Sequence, residues 1–214
     1  MKSALVTGAS SGIGATVYEH LKQREYSTIG MARRGPDECM DLLHYDTRRW
    51  TNIIKLHGPF DVVFLNAGIC PIDDWDSYEK TMLLNLKIPL WFLRYEEVHR
   101  DLMKAGGSII VSASLLGITG CSELPIYSAG KAALINAIRS FAKVHVVKSV
   151  RVNGISCGIF DTPMNEGLGQ ALIDHIPMKR KGETKELLPV IDALIDCTYV
   201  TGQNWIIDGG DSLQ

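Results

Sequence analysis

Basic clusters are scarce in this chain. Dense groups are few and short, Arg33-Arg34 and Lys179-Arg180-Lys181 among them, and the 214 residues carry a formal charge of −2. A main partner made of nucleic acid is excluded on that basis, because neutralising phosphates needs clustered Lys and Arg. Apolar runs are short as well: none approaches the roughly 20 residues that cross a bilayer, so no membrane span is expected. The five cysteines, Cys39, Cys70, Cys121, Cys157 and Cys197, form no Cys-x-x-Cys. That count and spacing suit a reducing cytosol better than a disulfide frame. The six His show no paired metal-ligand spacing, so no metal is expected. Repeats, low-complexity tracts and linkers are missing too. Met1-Lys2-Ser3 runs straight into a strand-like segment, which leaves no room for a signal peptide. A cytoplasmic protein is the expectation.

What the chain does have is the composition of one buried core, with 46% apolar and 21% charged residues. A second full domain would not fit, so residues 1–214 read as one domain. Short β-branched or apolar runs alternate with longer helical stretches, the pattern of a parallel sheet covered by helices on both faces. Strands are expected at about 2–7, 26–32, 42–45, 60–66, 107–113, 149–156 and 204–208. Right-handed crossovers then give a doubly wound α/β sheet with its ligand crevice at the carboxyl ends of the strands.

Two motifs carry chemistry. The apolar run Ala4-Leu5-Val6 ends in a glycine-rich turn, Thr7-Gly8-Ala9-Ser10-Ser11-Gly12-Ile13-Gly14, and a helical pattern starts near Gly12. Glycine permits the tight turn and close backbone approach, while the helix N-terminus offers unpaired N–H groups to a pyrophosphate. An ordinary strand-to-helix loop is the competing reading. Further on, Tyr127 and Lys131 stand four residues apart, on one face of a helix, where an ammonium favours phenolate and brings the phenol toward working pH. Such a pair alone is weak, since chance yields about 0.4 in a chain of this composition. A second one, Tyr18 and Lys22, has Leu5 thirteen residues before it and reads as structural.

With Ser114 thirteen residues before Tyr127, and with Asn66-Ala67-Gly68, Asn85, Val152-Asn153-Gly154-Ile155-Ser156-Cys157-Gly158, Thr162-Pro163-Met164 and Thr201-Gly202-Gln203 in order, the chain resembles the short-chain dehydrogenase/reductase family. The resemblance lies with its short single-domain branch and covers essentially the whole chain. It implies a Rossmann-type, three-layer α/β/α fold and hydride transfer between a nicotinamide and a ketone, aldehyde or secondary alcohol. Tyr127 is the implied general acid/base. Ser114 would bond the reacting oxygen, Lys131 would hold the nicotinamide ribose and lower the tyrosine pKa, and the carbonyl of Asn85 would hold a relay water. Pro89 has no N–H for that carbonyl, so it either keeps it available or simply kinks the helix.

For the cofactor, the resemblance implies contacts from Gly8, Ser10, Ser11, Gly12, Ile13 and Gly14, then Asp46 at the adenine and Asn66, Ala67 and Gly68 beneath the adenosine ribose. Ile159 and Thr162 would meet the carboxamide. Ala32 stands at the family's acidic position and is followed by Arg33 and Arg34, which favours NADP(H) over NAD(H). The competing reading pairs these arginines with Asp37 and Glu38. A substrate lid is expected at about 157–182. The pocket wall would draw on Leu115, Leu116, Ile118, Leu124, Phe160, Met164 and Leu168, with Glu123 at its margin.

Three features depart from the pattern or stay open. Cys157 replaces a common proline and reads as a small apolar filler, though a thiol meeting the cofactor is the sharper alternative. Pro189 implies a kink or late start in the helical stretch 183–196. A homotetramer or dimer is implied, with helices around 75–100 and 125–147 pairing across subunits. A cofactor-binding sensor without turnover and a nicotinamide-recycling epimerase or dehydratase are the alternatives to the reductase.

Overall fold

The computed structural model describes residues 1–44, 46–71, 75–94 and 102–213. Seven parallel strands form one sheet: β1 (Ser3–Thr7), β2 (Ser27–Ala32), β3 (Glu38–Cys39), β4 (Phe60–Leu65), β5 (Met103–Ser112), β6 (Arg151–Cys157) and β7 (Asn204–Ile207), in the spatial order β3-β2-β1-β4-β5-β6-β7. The order reverses between β1 and β4, and loops leaving those two strands part to open a crevice at their carboxyl ends. This is the Rossmann-type doubly wound fold expected from the sequence.

Helices cover both faces. On one side α1 (Gly12–Gln23) and α8 (Leu188–Asp196) lie over Val6, Phe64, Ile110 and Ile155. On the other, α2 (Thr47–His57), α3 (Trp75–Met82), α4 (Ile88–Arg94) and α6 (Pro125–His145) cover Leu5, Val63, Ile109 and Val152. Alternate residues of each strand thus feed two separate cores, as the two-residue period of a strand requires. Two short helices, α5 (Leu116–Thr119) and α7 (Gln170–His175), stand near the crevice and in the expected lid. The central strands are buried along their length, so the site's backbone has little freedom to shift.

The α8 start agrees with the late helix read from Pro189. Residues 184–187 form a 3₁₀ turn, and Pro189 then sits in the first turn of the α-helix, where its missing N–H costs nothing. The other end of α8 is held by a buried cation. Arg151 Nη1 and Nη2 donate to the carbonyls of Leu194 (2.6 Å) and Ile195 (2.7 Å), where the negative end of the helix favours a positive charge.

The third strand is a correction. It lies at Glu38–Cys39, pairing Met31 with Glu38 and Ala32 with Cys39, and not at 42–45, of which Tyr45 falls outside the described residues. Met40 and Leu42 are buried against the core, yet they are packed as loop side chains, so their apolarity mimics a strand without strand pairing. Only residues 33–37 therefore connect β2 to β3. Parallel neighbours ordinarily need a crossover of a dozen or more residues. Here the link folds back over β2, and Pro36 packs on Gly30 together with Tyr18. A Cβ built on Gly30 would lie 2.6 Å from Pro36 Cγ, 2.9 Å from Ala9 Cβ and 2.9 Å from Tyr18 Cδ2.

Tyr18 and Lys22 are a structural pair, as the sequence indicated: Lys22 Nζ stands 5.0 Å from the centre of the Tyr18 ring. Gly30→Ala is expected to lower stability by about 1–3 kcal/mol through overpacking, and Tyr18→Ala in the same chain should recover part of that loss. Thermal or urea unfolding of the single and double variants checks it; an additive double variant would show that Tyr18 does not close over Gly30.

Candidate active site

The glycine turn is built by close approach. Gly8 and Gly12 have positive φ (72° and 54°), a region that a side chain penalises. Gly14 has no room for a Cβ, which would meet Gly8 O and the Asn66 amide. Thr7 Oγ1 accepts from the Asn66 (2.9 Å) and Ala67 (3.1 Å) N–H groups, binding the end of β1 to the loop after β4. Ser11 is the N-cap of α1 with no side-chain cap bond, which leaves the first-turn N–H groups without that competitor. Gly12 faces Thr162 from across the crevice, its built Cβ 3.1 Å from Thr162 Cγ2.

The structure therefore brings Gly8, Gly12, Gly14, Asn66, Ala67 and Thr162 together. Ser10 lines a cavity of about 310 Å3 with Ala15, Glu19, Arg34 and Gly35. Ile13 follows Gly12 in the first turn of α1, partly buried. The Ile159 carbonyl accepts from Gly182 N–H at 2.9 Å, which ties the start of the expected lid to its end. Asp46 is the N-cap of α2 and accepts from Arg48 N–H at 2.9 Å, so one of its oxygens serves the helix.

Arg33 and Arg34 are exposed, and neither has an ion pair among the described residues. The two acids that could have paired with them are engaged elsewhere. Asp37 Oδ2 accepts from Gly30 N–H at 2.7 Å, and Glu38 Oε1 lies 3.2 Å from His57 Nε2.

At the other side of the crevice, β5 delivers Ser114 and α6 delivers Tyr127 and Lys131. Pro125 in the first turn of α6 favours helix there, and Gly117 lets α5 come down onto it; a Cβ at Gly117 would lie 2.7 Å from the Lys131 carbonyl carbon. The Tyr127 hydroxyl is hydrogen-bonded to Ser114. Ser114 Oγ accepts from Leu116 N–H at 3.2 Å, which leaves the serine proton to point at an oxygen in the crevice. Ser112, the last residue of β5, takes a different part: its backbone carbonyl accepts from Lys131 Nζ at 2.8 Å.

Asn85 lies in a single π-helical turn, Leu83–Lys87, closed by Ile88 N–H donating to Leu83 O. Such turns gather at functional sites. Its side chain is bound on both atoms by one residue: Asn85 Oδ1 accepts from Ile69 N–H (3.2 Å) and Asn85 Nδ2 donates to Ile69 O (2.7 Å). Gly68 leaves space for that amide, since its built Cβ would lie 2.5 Å from Asn85 Oδ1. The sequence pointed to the Asn85 carbonyl and missed the side chain.

Burial sets the protonation states. The Tyr127 phenol is pushed up from its ordinary value, first by burial and then by the neighbouring Cys70 thiol, while Ser114 acts in the opposite sense. This differs from the expectation that Lys131 lowers it. Lys131 Nζ is aimed at the Ser112 carbonyl and stands 5.7 Å from the Tyr127 ring centre. Burial likewise lowers Lys131 to about 8. Cys157 is buried, and burial pushes its thiol up to about 12, which fits an inert filler. Cys70 acts on both Tyr127 and Lys131 and was not singled out in the sequence; its place after Asn66-Ala67-Gly68, at the end of β4, is the signal that could have found it. Of the expected pocket wall, Leu115 and Phe160 are core residues at 3% exposure each, whereas Ile118 (46%) and Met164 (52%) are open.

Comparison with known proteins agrees with this geometry. A family profile described as enoyl-(acyl carrier protein) reductase matches residues 48–212. The chain is 31% identical to a glucose 1-dehydrogenase of Gluconobacter oxydans over 99% of this chain and 92% of that one, and 36% identical to carbonyl reductase family member 4 of Danio rerio over 97% and 96%. A crystal structure of a short-chain dehydrogenase family protein from Francisella tularensis superposes with a TM-score of 0.87 at 25% identity, each chain covered in full. This chain belongs to the short-chain dehydrogenase/reductase family. It is an oxidoreductase of the dehydrogenase/reductase kind that acts on alcohol and carbonyl groups.

The lysine gives a test of the buried pair. Its proton affinity is depressed in the folded state, so between pH 8 and the ordinary lysine value of 10.5 the unfolded chain binds more protons and wild-type stability rises with pH. Below pH about 8 the burial cost is present in full. Lys131→Met is thus expected to be more stable than wild type near neutrality, with the gap narrowing toward pH about 10. Tyr127 works in the opposite sense only above about 10, where the unfolded phenol ionises first. Urea midpoints across this range, with a gap that does not narrow, would refute the buried ammonium.

Proposed function

We propose that the protein is an NADP(H)-dependent reductase of a medium-sized, mostly apolar ketone or aldehyde, able to run in reverse on the secondary alcohol. The observation that carries this reading is the Tyr127 hydroxyl hydrogen-bonded to Ser114, one helical turn from a buried Lys131. A dinucleotide fits the residues present. The positive-φ glycines Gly8 and Gly12 and the uncapped first turn of α1 present backbone N–H groups suited to a pyrophosphate, and the missing Cβ at Gly14 lets the helix pack close on the turn. Gly8, Ser10, Ser11, Gly12, Ile13 and Gly14 would hold it, with Asp46, Asn66, Ala67 and Gly68 at the adenosine end and Ile159 and Thr162 at the carboxamide. When bound, the nicotinamide supplies the hydride in reduction and accepts it in oxidation.

The chain's own groups handle the proton. With its phenol raised by burial, Tyr127 is protonated at neutral pH and can donate to the substrate oxygen as the carbonyl becomes a hydroxyl. Ser114 donates a hydrogen bond to that oxygen, where negative charge develops. Lys131, lowered to about 8 and one helical turn from Tyr127, would hold the nicotinamide ribose and keep a proton in reserve beside the phenol. The Asn85 carbonyl, which Pro89 cannot bond, would seat the relay water. Two exposed arginines at the end of β2, with Ala32 where an acid would bind a 2′-hydroxyl, support the phosphorylated cofactor. Exposed Ile118 and Met164, with Leu168 in the 157–182 lid, favour an apolar substrate. Free thiols on all five cysteines suit a cytoplasmic setting. A homo-oligomer, tetramer or dimer, completes the reading, although the expected contact around 75–100 falls partly outside the described residues.

Tyr127→Phe is expected to cut NADPH oxidation on a carbonyl panel by about 10²–10⁴-fold while NADPH still binds, followed by fluorescence. Cofactor binding in the wild type without turnover on any carbonyl would favour a sensor over an enzyme.

A further inference from the structure

The link from β2 to β3 has no crossover helix, and a clamp on Gly30 occupies its place. Asp37 reaches back so that its carboxylate accepts the Gly30 N–H at 2.7 Å. The Tyr18 hydroxyl faces the same carboxylate, and the Tyr18 ring and Pro36 close over the bare Cα of Gly30 from two sides. Lys22 covers the Tyr18 ring. From the far end, the Cys39 thiol donates to the Arg33 carbonyl (2.8 Å) and Met40 N–H donates to the Ala32 carbonyl (2.9 Å). With the link fixed at both ends, Arg34 and Gly35 line one cavity with Ser10 of the glycine turn, and Glu19 of α1 lines it too.

Left free, Asp37 would be a ready partner for Arg34 three residues away and would set a negative charge where a phosphate should enter. The clamp turns it away from Arg34 onto the Gly30 amide. We propose that Asp37 and Tyr18 are positioning residues for cofactor selectivity: the clamp on Gly30 parks the acid on a backbone amide and holds Arg33 and Arg34 open to a ribose 2′-phosphate beside Ser10. This rests on the NADP(H) reading above. It assigns a task to a tyrosine and an aspartate that touch neither the reacting atoms nor the cofactor's nicotinamide end.

Removing Asp37 also removes a charge that repels phosphate, so the informative contrast is Asp37→Asn against Asp37→Ala. Both abolish the charge, but only asparagine keeps an oxygen for the Gly30 N–H. Calorimetry on the full chain with adenosine 2′,5′-bisphosphate and adenosine 5′-monophosphate reads the preference without turnover. The wild type should prefer the bisphosphate by at least about tenfold, Asp37→Asn should keep or exceed that preference, and Asp37→Ala should fall about fivefold or more below Asp37→Asn. Affinity for the monophosphate should stay within about twofold in all three. The ratio of kcat/KM for NADPH to that for NADH should move in parallel, through KM.

Equal preference in Asp37→Asn and Asp37→Ala would overturn the inference while leaving the NADP(H) reading intact. No preference in the wild type would overturn both. Should Asp37→Ala not fold, Tyr18→Ala withdraws the brace with Asp37 in place: a lowered preference supports the clamp, and an unchanged one refutes it.

Discussion

A lysine ammonium with 5% exposure, resting on one backbone carbonyl, is the constraint around which this site is arranged. Burying a cation is costly unless it is hydrogen-bonded, and Ser112 O is the acceptor that the end of β5 offers. Placing Nζ there requires α6 to lie tight against the sheet. That closeness also buries Tyr127 and brings its hydroxyl to Ser114, two residues along the same strand end. One packing relation, α6 on β5 and β6, therefore sets the acid, its hydrogen-bond partner and the cation together. The environment pushes the phenol up and the lysine down, so both groups favour their neutral forms more than free side chains would. Burial thus brings Lys131 toward neutral pH and keeps Tyr127 protonated there.

The opposite wall follows a different logic, in which absence of side chains does the positioning. At Gly14 the helix axis comes so near Gly8 and Asn66 that even a methyl group is excluded, and Thr7 then stitches β1 to the loop after β4 through one oxygen serving two N–H groups. Asn85 repeats the device further along. Its amide takes both backbone groups of Ile69, and Gly68 yields the space. These ties fix the loops after β1 and β4 against each other at the point where strand order reverses. The crevice is consequently a property of the sheet, lined by loops with few ways to relax.

Local features of this arrangement were legible in the sequence. The Tyr127–Lys131 spacing, the glycine turn and the late start of α8 at Pro189 each follow from backbone geometry within a few residues. What was not legible depends on distant packing. The apolar Met40 and Leu42 resemble strand residues, but their burial comes from helices and strands that a local pattern does not contain. The direction of the Tyr127 shift has the same origin: the four-residue spacing speaks of a cation nearby, whereas the depth of burial, which wins, is decided by the whole sheet. Cys70 stayed hidden because its closeness to Tyr127 exists only once the loop after β4 meets α6. Likewise the fate of Asp37 and Glu38, adjacent to two arginines in sequence, was settled by Gly30 and His57, which the fold brings to them.

The shortened β2–β3 link shows how a fold loses a whole element without losing its site. A crossover helix would ordinarily cover the outer face of β2 at Gly30, and without it that glycine would expose strand backbone and leave α1 unsupported on one side. An aromatic ring from α1 and a proline from the link fill the volume, while a carboxylate satisfies the Gly30 N–H. Each replacement is short-range, so each is held by few bonds; Lys22 over the Tyr18 ring and Cys39 on Arg33 add the remaining restraint. A five-residue connection also has far less conformational entropy to surrender than a helical crossover with its two junctions. The arginines at its start are therefore carried on a stiffer piece of chain than a long loop would provide. Stiffness at that point matters for recognition, because an ordering cost already met in folding is not charged again when an anion binds.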